Sequence, residues 1–248
     1  RDPEMSRGLG DVYKRQVDGS RLIAKNSMKQ QKFNIILVLV AAFIVKAILA
    51  VKNEGYSVDI TCFRSWSETV FTGGLSHFYE GDVTDYPPGY MLVLWLVAAI
   101  RHLFNIDNYS TTGLFMIKLF PMLFDLAAAY LIYVMAKKRF SEGMSLMLST
   151  LYALNPAVVI DSSVWGQVDG VLCCMVLLTC YLFMEEKRIL AYFAFCAGVL
   201  LKPQMVMFAP IIIYSIIEQV FLHDFNTKKM LRDLIGGLAY SLCIRSLL

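Results

Sequence analysis

The chain of 248 residues is dominated by apolar runs that are separated by short polar segments. Residues 33–51 form the clearest run, and a helix needs about 20 apolar residues to cross the hydrocarbon core of a membrane. Further runs follow at 89–104, 114–136, 144–160, 171–184, 189–201, 205–222 and 234–248. Since 57% of the residues are hydrophobic and only 17% are charged, against about 25% charged residues in soluble domains, we predict an all-α polytopic transmembrane bundle.

Basic and acidic residues are sorted between the connections that separate these runs. Arg21, Lys25, Lys29 and Lys32 precede the run at 33–51. The next connection, 52–88, contains Lys52 and Arg64 together with the acidic residues Glu54, Asp59, Glu68, Glu80, Asp82 and Asp85. Lys and Arg in short connections favour the cytoplasmic side. The pattern therefore predicts a cytoplasmic N-terminus and an outer loop at 52–88.

Counting every apolar run as a crossing would conflict with that rule. It would place Lys137-Lys138-Arg139 outside and the polar segment at 165–170 inside. The run at 89–104 is short, so we predict that it is re-entrant or lies in the interface, where protein covers its backbone. With that change Lys137 to Arg139, Lys187-Arg188, Lys228, Lys229 and Arg232 become cytoplasmic, while Asp59, Asp85, Asp169 and Lys202 gather on the outer side.

The two ends of the chain differ from its centre. Residues 6–16 resemble an in-frame translation of a sequencing adapter, so we interpret residues 1–16 as a non-native segment. Residues 17–32 form a basic cytoplasmic segment, and residues 33–248 form the membrane domain. Because the chain ends inside an apolar run at Leu248, we expect a bundle that is truncated at its C-terminus.

The outer loop contains a predicted amphipathic helix at 59–71 that lies in the plane of the membrane. Its apolar face comprises Ile60, Phe63, Trp66, Val70 and Phe71 at helical spacing. Asp59 falls in the first turn, where unpaired backbone N–H groups favour a carboxylate. Gly73-Gly74 ends the helix, and Tyr86-Pro87-Pro88-Gly89 forms a rigid turn that holds Asp85 at the membrane boundary.

Several ordered motifs of the chain resemble those of a known enzyme family. They are Asp59 with Phe63 and Trp66, Phe78-Tyr79, Asp85-Tyr86-Pro87-Pro88-Gly89, Asn155-Pro156, Val164-Trp165-Gly166-Gln167-Val168-Asp169 and Leu201-Lys202-Pro203-Gln204. The set spans about residues 33–215 and resembles bacterial membrane mannosyltransferases related to the GPI mannosyltransferases, which belong to the GT-C superfamily. Pro-Pro-Gly alone is weak evidence, whereas the whole set at these spacings is specific.

The resemblance implies a reaction and an assignment of residues. The implied reaction transfers a hexose, with mannose expected, from a polyprenyl-phosphate donor to an acceptor hydroxyl, with inversion, on the outer membrane face. Asp59 is the expected general base. We select Arg64 and Lys202 as candidates that stabilise the departing lipid phosphate. The other expected substrate-binding residues are Asp85, Tyr86, Trp165, Gln167, Asp169 and Gln204.

Each assignment has a structural alternative. Asp59 could be a helix cap, Asp85 could organise the Pro-Pro turn, and Trp165 could be an interfacial belt residue. Lys202 and Lys46 could extend their ammonium groups toward water. Lys118 and Asp125 lie on one helical face and are expected to form a buried structural pair.

Neither a metal nor an organic cofactor is predicted. The histidines are scattered, and no Cys-x-x-Cys or His-x-x-x-His spacing occurs. A lipid-phosphate donor needs no nucleotide-binding motif, and the net charge of +3 does not point to nucleic acid. The expected partners are a lipid-linked sugar donor, a lipid or glycan acceptor, and the membrane. Two other classes stay open, namely a transporter or flippase for a lipid-linked sugar, and a structural subunit of a membrane assembly.

Overall fold

The computed structural model describes residues 30–81, 84, 86–221, 231–232, 235–236 and 239. Within these ranges all regular secondary structure is helical, which confirms the predicted all-α class. The helices are α1 (Gln30–Lys52), α2 (Ser57–Gly81), α3 (Pro88–Leu103), α4 (Thr111–Ala136), α5 (Glu142–Ala153), α6 (Pro156–Val159), a π-helix (Ile160–Trp165), α7 (Asp169–Met184), α8 (Arg188–Leu201), a 3₁₀-helix (Pro203–Phe208) and α9 (Ala209–Phe221). The predicted segment 1–16, Asp85, Lys228 and Lys229 lie outside the described residues.

Helices α1 and α4 are antiparallel, and their contacts define the two sides of the bundle. Near the start of α4, Lys118 donates to the carbonyl oxygen of Asn53, just beyond the end of α1. Just beyond α4, Lys137 donates to Gln31 at the start of α1. We call the side of Asn53 and Lys118 the pocket side, and the side of Gln31 and Lys137 the basic side. The connection from α1 to α4, including α2 and α3, thus begins and ends on the pocket side.

In the part of the chain that the structure describes, two helices have the length and apolarity of a membrane span, α1 and α4. A third such span results if α5 and Pro156–Trp165, which are bent by 47° at the break between them, count as one. Helix α3 is shorter, with 16 residues. Its C-terminal Arg101 pairs with Glu68 of α2, and Tyr90 near its start packs on Phe63 of α2. Helix α3 thus packs along α2, and the prediction that the run at 89–104 does not cross stays a prediction.

Ion pairs at the ends of α5, α7 and α8 show on which side of the bundle these ends lie. Glu142 at the start of α5 pairs with Lys137, and Glu185 after α7 pairs with Lys138. At the other end of the bundle, Lys202 after α8 pairs with Asp169 at the start of α7. Basic connections therefore gather on the basic side, as the charge pattern predicts.

The predicted apolar face of α2 is buried by protein. Ile60, Phe63 and Val70 are only 3%, 2% and 0% exposed and belong to the main hydrophobic cluster. In that cluster they meet residues of α3, α4 and α7, among them Tyr90, Ile117 and Val171. Since this face packs on neighbouring helices, α2 acts as a cover over the pocket side of the bundle.

The expected end of α2 at Gly73-Gly74 is instead a kink. Gly74 has φ 76° and ψ 173°, and the chain resumes helical geometry as far as Gly81. Glycine adopts a positive φ without steric cost. The glycine pair therefore redirects the helix, so that Phe78 packs on Trp66 in the first half of α2 and Tyr79 reaches Tyr86, which precedes α3.

The predicted pairing of Lys118 with Asp125 is wrong. Asp125 pairs with Lys46 of α1 at 2.7 Å, and the Lys46 ammonium also donates to Ser162 and to the carbonyl of Val158. Lys46 is 0% exposed, so it does not extend toward water. Helical spacing correctly placed Lys118 and Asp125 on the interior face of α4. Each of them, however, pairs with groups outside α4 and not with the other.

Candidate active site

A cavity of about 620 Å³ opens on the pocket side. Its walls come from the start of α2, the segment before α3, the π-helix, the start of α7 and the junction after α8. The lining residues are Asp59, Cys62, Phe63, Trp66, Tyr86, Asp161, Trp165, Gln167, Asp169, Lys202 and Gln204. Segments that are far apart in the sequence therefore converge on one site.

Asp59 holds two side chains of the Trp-Gly-Gln segment. Its Oδ2 atom accepts hydrogen bonds from Nε2 of Gln167 at 2.6 Å and from Nε1 of Trp165 at 3.0 Å. Within the described part of the chain no donor bonds to Oδ1. One carboxylate oxygen is thus held in place, and the other has no donor from the described residues.

The local fold of 155–167 explains how Trp165 and Gln167 reach Asp59. Asn155 caps the backbone N–H of Ala157, and the π-helix then ends at Gly166 with φ 91°. A Cβ atom at Gly166 would lie 2.7 Å from Cδ1 of Ile60. Only glycine fits this close approach and this left-handed backbone, so the chain can turn sharply between Trp165 and Gln167.

Lys202 and Asp169 form an ion pair in the wall of the cavity. The Lys202 side chain is 7% exposed, whereas the Asp169 side chain is 56% exposed. The ammonium is therefore held in place by burial, while its carboxylate partner remains accessible from the cavity. Lys202 does not extend away into solvent.

Aromatic rings form the wall nearest to α2. Phe63 and Trp66 have ring centroids 5.8 Å apart, and Tyr86 lies 5.8 Å from Phe63 and 5.6 Å from Trp66. The phenol of Tyr79 donates to the backbone oxygen of Tyr86 and fixes that segment. These rings give one wall an apolar surface, as is common in small-ligand sites, while the other lining residues of the cavity are mostly polar.

Most of the predicted site residues meet in this cavity. Asp59, Tyr86, Trp165, Gln167, Asp169, Lys202 and Gln204 all line it. Arg64 does not, because its guanidinium lies 5.2 Å from the centre of the Tyr109 ring. Asp85 lies outside the described residues. In the described ranges no cluster of His, Cys, Asp and Glu is arranged to hold a metal ion.

Sequence reasoning missed Asp161 and Cys62, both of which line the cavity. Asp161 follows the apolar run at 144–160 directly, and its backbone oxygen accepts from the N–H groups of Gly166 and Gln167. The abrupt appearance of Asp161-Ser162-Ser163 after an apolar run was an available signal. Cys62 follows Asp59 by three positions, so it lies on the same helical face.

Comparison with known families identifies the chain. The family model described as dolichyl-phosphate-mannose-protein mannosyltransferase matches residues 85–244, which is more than half of the sequence. The chain belongs to this family. The expected GT-C mannosyltransferase resemblance is thereby confirmed. The match to this mannosyltransferase family includes the Trp-Gly-Gln segment and Lys202, but it begins after Asp59.

A curated relative of this family member is GPI mannosyltransferase 1 of Saccharomyces cerevisiae, which is 27% identical over 128 residues. That alignment covers 49% of this chain and 29% of the yeast protein. The chain therefore spans less than a third of that relative's length. No solved structure matches the chain.

Proposed function

We propose that this protein is an inverting membrane mannosyltransferase that uses a polyprenyl-phosphate-linked mannose as donor and a lipid or glycan hydroxyl as acceptor. The observation that carries the proposal is the position of Asp59, which is fixed by Trp165 and Gln167 at the edge of a cavity that also contains Lys202. The family match supports mannose as the transferred sugar. The residues that line the cavity support a general base and a cation beside the leaving phosphate.

In the proposed reaction Asp59 acts as general base. Its carboxylate takes the proton of the acceptor hydroxyl while that oxygen attacks the anomeric carbon of mannose. The bond from this carbon to the phosphate oxygen breaks, and the electron pair leaves with the lipid phosphate. A single displacement of this kind inverts the anomeric centre. A positioned base contributes a factor of about 10²–10⁴ to the rate.

Lys202 supports the leaving phosphate in this proposal. Its ammonium is buried and already directed by Asp169 toward the cavity wall. A phosphate oxygen can share this ammonium, because a lysine has three N–H donors. Arg64 would need another side-chain position to contribute, since its guanidinium packs on Tyr109 outside the cavity.

We also propose that the cavity faces the outer side of the membrane. The support is electrostatic. Lys137, Lys138, Lys187 and Arg188 cluster at the basic side, away from the cavity, and Lys and Arg in short connections favour the cytoplasm.

Reconstituted vesicles test the function. The full-length gene product is supplied with a synthetic lipid-phosphate mannose and an acceptor, and both mannosylated product and movement of the lipid-linked sugar across the bilayer are measured. Asp59→Asn should abolish product formation without loss of folded protein. Glu54→Gln, a matched change of an exposed carboxylate outside the cavity, should retain it. Product formation by Asp59→Asn at the wild-type rate would overturn the role of Asp59, and sugar movement without product would favour transport.

A further inference from the structure

Lys118 is a buried cation that the proposed chemistry leaves unexplained. It is 0% exposed, and in the described ranges no carboxylate lies within ion-pair distance of its ammonium. Its Nζ atom instead lies 2.8 Å from the carbonyl oxygen of Asn53, 3.0 Å from that of Ser163 and 3.3 Å from that of Val164. Removing an ammonium from water costs several kcal/mol unless hydrogen bonds compensate. These carbonyls therefore supply the compensation.

The carbonyls belong to the ends of two helices. Asn53 follows the C-terminus of α1, and the carbonyl of Ala50 in the last turn of α1 lies 3.5 Å away. Ser163 and Val164 are in the last turn of the π-helix. The last carbonyls of a helix lack intrahelical partners and carry the negative end of its dipole, so a cation there is favourable. One ammonium thus joins the ends of α1 and the π-helix.

Both helix ends lead directly into the candidate active site. The chain runs from Asn53 into α2, where Asp59 lies in the first turn. Val164 directly precedes Trp165, whose carbonyl accepts the backbone N–H of Tyr56 at 2.9 Å. A Cβ atom at Gly166 would lie 3.3 Å from Cε of Lys118. The side-chain carbons of Lys118 therefore lie beside Gly166, while its ammonium binds the carbonyls of the two residues that precede Trp165.

We propose that Lys118 is a positioning residue that fixes the distance between Asp59 and its two hydrogen-bond donors. By holding the ends of α1 and the π-helix together, it keeps Trp165 and Gln167 within reach of Asp59 Oδ2. Lys118 does not line the cavity, so it acts through these two residues and touches no substrate. Only the kinetic consequence of this role rests on the proposed function.

The positioning can be measured without activity by ¹⁹F NMR of the chain in nanodiscs, labelled with 5-fluorotryptophan. The chain has three tryptophans, and the Trp165 resonance is assigned by its loss in Trp165→Phe. In Lys118→Met we expect this resonance to shift or broaden, while that of Trp95 on α3 stays unchanged. An unchanged Trp165 resonance would overturn the proposal.

Arg101→Met is the matched control. Arg101 is also a buried cation, 2% exposed, and it also holds α2, through Glu68. It contacts neither helix end that Lys118 joins, so its removal should lower thermal stability and leave the Trp165 resonance in place. A Trp165 shift of equal size in both variants would show general loosening instead of positioning and would contradict the proposal.

Kinetics give the second measurement. A misplacement of about 1 Å can reduce a rate roughly a hundredfold, so Lys118→Met should lower kcat by about that factor and leave the donor KM within about twofold. Wild-type kcat would overturn the link to Asp59. If Lys118→Met does not fold, Lys118→Gln keeps a donor at this position and should show the same changes at smaller amplitude. Should Asp59→Asn retain full activity, the proposed role of Asp59 as base fails, and should the wild type move sugar without product, the proposed function fails; in both cases the NMR measurement still tests the positioning.

Discussion

The side-chain amide of Gln167 donates to Oδ2 of Asp59 at 2.6 Å, although 108 positions separate the two residues. Asp59 lies in the first turn of α2, and Gln167 follows the broken helix that ends at Trp165. Their contact adds to the hydrogen bond from Nε1 of Trp165 to the same carboxylate oxygen and to the backbone hydrogen bond from Tyr56 to Trp165, so several contacts join these two segments beside the cavity.

Gln167→Leu should reduce kcat because it removes a donor to Asp59 without changing the size of the side chain greatly. A hydrogen bond to a charged group contributes about 1.5–3 kcal/mol, which corresponds to a loss of about 10–100-fold. Steady-state assays of mannose transfer measure this loss of kcat. Gln31→Leu on the basic side removes a hydrogen bond to Lys137 and should leave kcat unchanged. A Gln167→Leu enzyme with wild-type kcat would show that this contact has no catalytic role.

Asp125→Leu should destabilise the bundle strongly, because it leaves Lys46 as a buried charge without its carboxylate. Breaking one partner of such a pair costs about 3–5 kcal/mol. The double variant Lys46→Met, Asp125→Leu should recover much of that loss, as measured by denaturant unfolding in detergent. Glu186, whose side chain is 82% exposed and lies 3.8 Å from Arg188, provides the control, since Glu186→Gln should have an effect near zero. Equal losses in the single and double Lys46/Asp125 variants would refute the pairing argument.

Gly170→Ala should also destabilise the protein. The added Cβ would lie 2.1 Å from Oδ1 of Asp125 and 3.2 Å from the backbone oxygen of Pro121. Overpacking of this kind costs about 1–3 kcal/mol. Gly143→Ala in α5 is the matched control, because nothing lies within 4 Å of its added Cβ, and alanine there should be neutral or stabilising. Thermal unfolding of both variants distinguishes steric contact from helix propensity.

Cys62 should react with a membrane-impermeant maleimide added to intact cells, since it lines the cavity that we place on the outer side. A Cys62→Ser protein should lose this labelling, and the lipid-linked donor should protect the wild-type thiol. A cysteine introduced at Arg139, in the basic connection after α4, should react only after the cells are permeabilised. The reverse pattern would place the cavity on the cytoplasmic side.

The Glu68 contact with Arg101 and His102 should weaken in acid. Burial raises the pKa of Glu68, but hydrogen bonds from His102 and Arg101 outweigh this effect and leave the pKa below its ordinary value of 4.5. A carboxyl group whose pKa is lower in the folded state stabilises the fold above its unfolded pKa, and this contribution is lost as the pH falls through the folded pKa. Wild-type thermal stability should therefore exceed that of Glu68→Gln at neutral pH, and the difference should begin to shrink near pH 4.5 and disappear once the pH is below the lowered pKa of Glu68. A difference that persists in strong acid would rule out this ionisation.

Local patterns in the sequence predicted the framework and most members of the candidate site. Apolar runs and basic connections indicated the helices and their two sides, and helical spacing identified the buried face of α2. The conflict between the charge rule and a crossing set the short run at 89–104 apart from the spans, and its placement outside the spans stays a prediction. The resemblance to family motifs predicted a shared site for five residues that line the cavity, namely Asp59, Trp165, Gln167, Asp169 and Lys202.

The partners of the buried polar groups were decided by tertiary structure alone. Lys118 and Asp125 share a face of α4, yet Asp125 binds Lys46 of α1 and Lys118 binds carbonyl oxygens at two helix ends. Arg64 and Asp59 share a helix, but only Asp59 reaches the cavity. Hydropathy and periodicity depend on neighbours in sequence and report which face of a helix is buried. The partner of a buried charge depends on how separate helices pack. A buried charge has lost its hydration, and only a polar group that packing brings within hydrogen-bond distance can compensate for that loss.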